Sequence, residues 1–228
     1  MSIVRRSLGK LKYRIQERYT KRSFSQGQQD IKLKPYLDFK RGFFIEAGAH
    51  DGITFSNTLY FEKYMKWRGL LIEPIPELAE QCKTNRPQSI VENCALVPFD
   101  YEHGDIEMRY CSLMSVVKGG RKSLEDELDH IRRGCEVQEI QSYELKVPAR
   151  TLTSILDQHS IQNIDFLSLD VEGFELSALK GIDFDKYRPK FILIEANYRD
   201  ELDSYLHPLY EPIEVVFHED VLYKLTGV

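Results

Sequence analysis

The chain has 228 residues, 42% apolar and 29% charged, which is enough to bury one core with some decoration and excludes wholesale disorder. No apolar run approaches the ~18 residues that span a bilayer, and no apolar stretch near the start reads as a secretory leader. The formal net charge of −5 is uneven: residues 1–22 hold eight basic side chains against the single acid Glu17, so the rest of the chain is strongly acidic and does not suit a general nucleic-acid binder.

The basic start is patterned. Val4, Leu8, Leu11, Ile15 and Tyr19 recur at steps of three and four and share one face of a helix. Residues 1–24 are therefore expected to form a basic amphipathic extension. It would dock on its own domain or a second copy, or lie on an anionic membrane. Residues 25–30 read as a loop leading into a short helix broken near Pro35.

Residues 42–47 fit a buried strand, 56–66 a helix, 69–73 a second buried strand, 77–84 a helix and 89–96 a third strand. Residues 100–148 break this rhythm. Ile106, Met108 and Tyr110 alternate with polar residues, as do Tyr143, Leu145 and Val147, so both stretches read as half-exposed strands. The charged segment 123–133 between them reads as a mobile helix or lid. A helix at 152–159, buried strands at 164–170 and 190–195, and a hairpin around His218-Glu219-Asp220 complete the pattern.

Buried strands alternating with helices predict an α/β fold, a mostly parallel sheet wound on both faces with a terminal antiparallel hairpin. Ligands of such sheets lie outside the carboxyl ends of the strands, near the switch in strand order. Four of the predicted strands end there in an acid: Glu46, Glu73, Asp170 and Glu195. One acid can be a cap; four on one edge call for a ligand.

The first strand runs into Glu46-Ala47-Gly48-Ala49-His50-Asp51-Gly52, whose glycines let the backbone turn and approach a bound molecule. This is not the Gly-x-Gly-x-x-Gly fingerprint of a dinucleotide site, and the acid before the first glycine suits a cationic or hydroxylic ligand. At the second strand end, Glu73 is placed to accept both hydroxyls of a ribose, at ~1.5–3 kcal/mol for each charge-assisted bond. The nucleoside site of S-adenosylmethionine enzymes has this form.

Further segments follow in order: Ser25-Gln26-Gly27-Gln28-Gln29-Asp30, Ser56-Asn57-Thr58, Gly69-Leu70-Leu71-Ile72-Glu73-Pro74 and Ile164-Asp165-Phe166-Leu167-Ser168-Leu169-Asp170-Val171-Glu172-Gly173-Phe174-Glu175. With the glycine loop, they resemble the FkbM family of S-adenosylmethionine-dependent methyltransferases over roughly residues 25–225. The resemblance implies a seven-stranded methyltransferase (Rossmann-like) sheet over residues 25–228, with a variable substrate-side insertion at about 100–148. It also implies O-methylation of a sugar, glycan or natural-product hydroxyl. By that resemblance Glu46, Gly48, Ala49 and Gly52 shape the methionine side of a cofactor pocket, with Asp170 beside it, and Ser56 and Asn57 either line the pocket or cap the following helix. Glu73 and Pro74 hold the ribose, and Asn93, Cys94 and Ala95 lie beside the adenine.

A hydroxyl must lose its proton to become a nucleophile, and Asp170, Glu172 and His50 are the candidate bases. A divalent cation such as Mg²⁺ is a second solution. By analogy with metal-dependent O-methyltransferases, its ligands would be Asp170, Glu195 and Asn197. The other histidines, His130 included, read as surface or helix-end residues. Gln26 and Asp30 are placed either to close over the cofactor or to form a surface loop. Four cysteines without a Cys-x-x-Cys spacing suggest a reducing, cytoplasmic setting. The alternatives are a glycan- or membrane-associated protein that keeps the fold without the chemistry, and a nicotinamide oxidoreductase, which the loop pattern disfavours.

Overall fold

The alternation of strands and helices resolves into one seven-stranded sheet in the computed structural model, which describes residues 23–227. The basic helix expected at residues 1–22 lies outside the described residues. Strands β1 (Phe43–Ala47), β2 (Arg68–Ile72) and β3 (Ile90–Glu92) run parallel on one side. β8 (Phe166–Leu169) pairs parallel with β1, and β9 (Phe191–Glu195) parallel with β8. The hairpin of β10 (Tyr210–Phe217) and β11 (Asp220–Leu225) adds to β9 antiparallel, giving the order β10-β11-β9-β8-β1-β2-β3. The order reverses between β1 and β8, which opens a crevice at their carboxyl ends.

The pleat decides which side chains share a face. Ile45, Leu70, Ile72, Leu167, Ile192 and Ile194 pack with α6 (Leu152–Gln158), α7 (Glu175–Leu179) and α8 (Arg199–Leu206). Phe44, Leu71, Phe166, Leu193 and Leu222 pack on the other side, against α2 (Lys34–Leu37), α3 (Leu59–Met65) and Cys82 of α4 (Pro76–Asn85); the short α1 (Gln29–Lys32) precedes α2. Trp67 is buried in this second layer, between Phe39 and Phe61.

The third strand differs from its expectation. Residues 89–96 divide into β3 and β4 (Ala95–Leu96), which belongs to a second sheet. The Asn93 side chain explains the break: its Nδ2 donates to the carbonyls of Glu73 (2.9 Å) and Pro74 (2.8 Å), drawing the chain out of the ladder. The second sheet has the order β4-β7-β5-β6, with β5 (Asp105–Tyr110), β6 (Val116–Val117) and β7 (Tyr143–Arg150). The two half-exposed stretches read from the sequence are β5 and β7, paired antiparallel from Asp105↔Pro148 to Tyr110↔Tyr143.

Between β6 and β7 the charged segment forms α5 (Leu124–Gln138). Ser123 caps it by accepting from the Asp126 amide, and three acids sit in its first turn. Glu127, His130, Ile131 and Gly134 are its buried stripe. The four cysteines are free thiols, with Cys111 and Cys135 3.5 Å apart, Sγ to Sγ. No helix among the described residues is long and apolar enough to cross a membrane.

Candidate active site

Strand register turns the four rim acids into one construction. Glu46 lies opposite Leu71 and Ser168, and Ser168 opposite Leu193, so these four form a row on the α3 face. Two residues further along each strand come Gly48, Glu73, Asp170 and Glu195. By the same parity they form the next row, at the carboxyl edge. Gly48 lets the loop after β1 close on the end of β8. Its φ is +82°, and a Cβ there would meet the Asp170 carbonyl oxygen at 1.9 Å.

The loop after β1 is braced from behind. The buried Glu46 carboxylate accepts from Ser56 Oγ (2.8 Å), Asn57 N (2.7 Å) and Thr58 Oγ1 (2.6 Å). Arg86, fully buried, reaches the same loop: Nη1 donates to the Gly52 carbonyl (3.0 Å) and lies 3.7 Å from Glu46, while Nη2 pairs with Glu62 at 2.7 Å. Glu46 therefore acts chiefly as the clasp of the loop. Gly52 faces Arg86 and Cys82 rather than the cavity. Arg86 carries no sequence signal of its own, because one arginine at a helix end reads as solvated.

Glu73 caps the loop from the second strand. Its Oε2 accepts the His50 amide (2.8 Å) and its Oε1 the Ile75 amide (2.9 Å), which leaves lone pairs on both oxygens. Burial pushes its pKa up to about 8, against the pull of these two amides. Pro74, Ala95 and Leu96 line the cavity next to it, whereas Cys94 is packed in the core and Asn93 ties the chain behind.

The cavity holds about 670 Å³, within the range of cofactor and substrate sites. Glu46, Gly48, Ala49, His50, Asn57, Asp170, Glu172, Glu195 and Asn197 all line it, and Gly52, Asn93 and Cys94 do not. Gln26 and Gln29 reach it from the loop before α2. Asp30 is buried instead, accepting from Ser23 Oγ and the Phe24 amide. The insertion supplies the opposite wall, with Met108, Leu113, Met114 and Val117 beside Arg121 and His130. His50 Nε2 lies 3.2 Å from Ser112 Oγ and bridges the glycine loop to this wall; burial lowers its pKa, so the ring is neutral at pH 7.

Asp170, Glu172 and Glu195 offer carboxylate oxygens that all lie within 4.8 Å of one another. Asp170 is open to the cavity. Withdrawal from bulk water, then the charges of Glu195 and Glu172, pushes it well above the usual aspartate range, and Glu172 rises for the same reason beside Glu195. Glu172 is held at φ +57° while Glu175 accepts from the amides of Val171 (3.1 Å) and Gly173 (2.9 Å). Asn197, expected alongside as a ligand, donates Nδ2 to Glu195 Oε2 (2.8 Å) and fixes that carboxylate.

His130 corrects the sequence expectation. It is 6% exposed and lines the cavity, with Nε2 3.3 Å from Glu172 Oε2. The signal was present as the spacing of Glu127, His130, Ile131 and Gly134, but an acid and a histidine on that stripe do not read as buried. Four buried side-chain polar atoms among the described residues have no partner: Gln29 Oε1, His50 Nδ1, Asn57 Oδ1 and His130 Nε2. All four residues line this one cavity. Orphaned polar atoms gathered at one place mark where a polar ligand is accommodated.

The raised acids make the ligand-free protein sensitive to base. Glu73, Glu175 and Asp220 titrate at about 8, 7 and 7, above their unfolded values, each pushed up first by burial. Between about pH 4 and 8 the folded state thus binds more protons than the unfolded one, and stability falls as pH rises, by up to ~1.4 kcal/mol per unit for each group. Urea midpoints measured from pH 5 to 8 are expected to decrease steadily. A rising midpoint would contradict this.

Two solved structures are similar to this chain. One is a methyltransferase from Geobacter sulfurreducens, at 10% identity and TM-score 0.48, covering 93% of this chain and 85% of that one. The other is a TehB-like SAM-dependent methyltransferase from Corynebacterium glutamicum, at 10% identity and TM-score 0.45, covering 96% and 100%. No curated protein matches the chain. The family model described as the methyltransferase FkbM domain matches residues 46–225, from the glycine-loop acid to the last strand, and by that match the chain belongs to the FkbM methyltransferase family.

Proposed function

We propose that the protein transfers a methyl group from S-adenosylmethionine to a hydroxyl of a sugar, glycan or natural product, in the cytoplasm. The observation that carries this reading is the row of Gly48, Glu73, Asp170 and Glu195 at the switch in strand order, above a cavity that holds every orphaned buried polar atom of the described residues. The cofactor would supply an activated methyl group on a sulfonium.

The residues fit it. Glu73 has free lone pairs for two ribose hydroxyls, and Pro74, Ala95 and Leu96 offer an apolar wall for a purine. Gly48 lines the cavity beside Asn57, whose buried Oδ1 has no partner and would accept from the amino-acid end. On the insertion side the acceptor hydroxyl meets Asp170, Glu172 and His50. Asp170 opens to the cavity and its burial beside Glu195 and Glu172 raises its proton affinity, so Asp170 is assigned the role of base.

Calorimetric titration with S-adenosylmethionine tests the reading and is expected to give one site per chain. Against a panel of hydroxylated acceptors, Asp170→Asn is expected to lower turnover by ~10²–10⁴-fold. Failure of the wild-type protein to bind the cofactor would favour a protein that keeps the fold alone.

A further inference from the structure

We infer that Asp170, Glu172, Glu195 and His130 form a binding site for one divalent transition-metal ion, best matched by Mn²⁺, at the acceptor end of the cavity. The use of this site in methyl transfer rests on the function proposed above; its existence does not.

The separations approach those between the ligands of one ion. Ligands at ~2.1 Å from a metal are roughly 3 Å apart when adjacent and roughly 4.2 Å when opposite. The three carboxylate oxygens lie within 4.8 Å of one another, and His130 Nε2 is 3.3 Å from Glu172 Oε2 without a hydrogen bond between them. Among the described residues no lysine or arginine forms an ion pair with Asp170, Glu172 or Glu195. The nearby Arg121 pairs with Asp126 at 2.9 Å and reaches only the backbone carbonyl of Glu172. Arg121 is thus the positive charge felt by Glu172 and Glu195, without an ion pair to either, against three acids.

His130 is the independent observation. It is more than nine-tenths buried, and its Nε2 is orphaned at the acids. Burial, the first influence on the ring, lowers its proton affinity, and the Met114 backbone beside it acts the other way. A neutral imidazole buried there with an unpartnered Nε2 can offer that nitrogen to a metal. Three oxygens favour Mg²⁺ or Mn²⁺, and an imidazole shifts the preference toward a transition ion. Asn197, bonded to Glu195, becomes the orienting neighbour of a ligand instead of a ligand.

The test uses full-length protein freed of metal by EDTA and dialysis, titrated with Mn²⁺ alone by calorimetry and followed by electron paramagnetic resonance. One Mn²⁺ per chain is expected, with ¹⁴N coupling from a histidine and binding at least about tenfold tighter than Mg²⁺. His130→Gln is expected to abolish the nitrogen coupling and weaken Mn²⁺ at least about tenfold. Glu195→Gln weakens both metals, with urea midpoints reporting that each variant is folded. Absence of Mn²⁺ binding up to about 1 mM overturns the site. So does binding that survives both substitutions, or Mn²⁺ without nitrogen coupling. Displacement of Mn²⁺ by S-adenosylmethionine also overturns it, since the acids would then hold the cofactor's ammonium group. Cofactor affinity measured on the metal-free protein separately decides the proposed function.

Discussion

Replacing Arg86 with methionine is expected to destabilise the protein by about 3–5 kcal/mol, the loss associated with removing one partner of a buried ion pair. The guanidinium is fully buried and uses its fork on several partners. Nε and Nη2 engage Glu62, Nη1 bonds the Gly52 carbonyl, and Nη2 donates to Thr58 Oγ1 at 3.2 Å. Methionine restores much of the volume but leaves Glu62 without its cation and the Gly52 carbonyl without its donor. Glu46 also loses a positive charge 3.7 Å away. Lysine does not rescue this, because a single ammonium cannot span Glu62 and the Gly52 carbonyl together. Urea denaturation is the measurement: the midpoint should fall with the slope unchanged. A loss below about 1 kcal/mol would mean that the loop stands without its brace. Because Ser56 and Thr58 hang on the same network, Arg86→Met is also expected to loosen the loop that carries Gly48 and His50.

The rim was legible because strand parity is legible. Glu46, Glu73 and Glu195 each stand two residues beyond a buried apolar side chain of the same layer, Phe44, Leu71 and Leu193, and Asp170 stands four beyond Phe166 with the buried Ser168 between. A side-chain period of two therefore puts all four on one face before any coordinate is known. The glycine loop was legible for a similar reason, since left-handed turns leave glycines at fixed places; Gly48 and Gly52 have φ of +82° and +80°.

What these acids do was less legible, because it depends on distant donors. Glu46 meets Ser56, Thr58 and Arg86, ten to forty residues away, and no local pattern separates a clasp from a ligand. The break at Asn93 escaped for the same reason: the stretch 89–96, apolar at five of its eight positions, fits one strand, and only the bonds to Glu73 and Pro74 carry it into a second sheet. In the insertion, alternation identified β5 and β7 as half-exposed strands but not as each other's partners. The helix α5 read as a charged surface because its buried stripe includes Glu127, which bonds Arg109 and the Gly119 amide, and His130, which faces the cavity.

Glu73→Gln is expected to weaken S-adenosylmethionine binding by ~10²–10³-fold, about 3–4 kcal/mol, through two losses that the geometry makes unavoidable. The first lies in the protein. One carboxylate oxygen accepts the His50 amide and the other the Ile75 amide, so whichever way a glutamine side chain turns, its NH₂ faces an N–H. The second lies in the ligand. An amide offers one acceptor where the carboxylate offers two, and the ribose pair then keeps at most one of its bonds. Proton linkage distinguishes this role from mere support of the loop. Glu73 of the ligand-free protein titrates at about 8 because it is buried, so near pH 6 it is protonated, and holding two hydroxyl donors favours the carboxylate. Binding then releases a proton, and affinity rises with pH by up to ~10-fold per unit until it levels near pH 8. Calorimetry in two buffers of different ionisation heat reads that proton directly. The wild type should show the rise and Glu73→Gln a flat profile. A wild-type profile already flat between pH 6 and 8 would mean that Glu73 shapes the loop without touching the ribose.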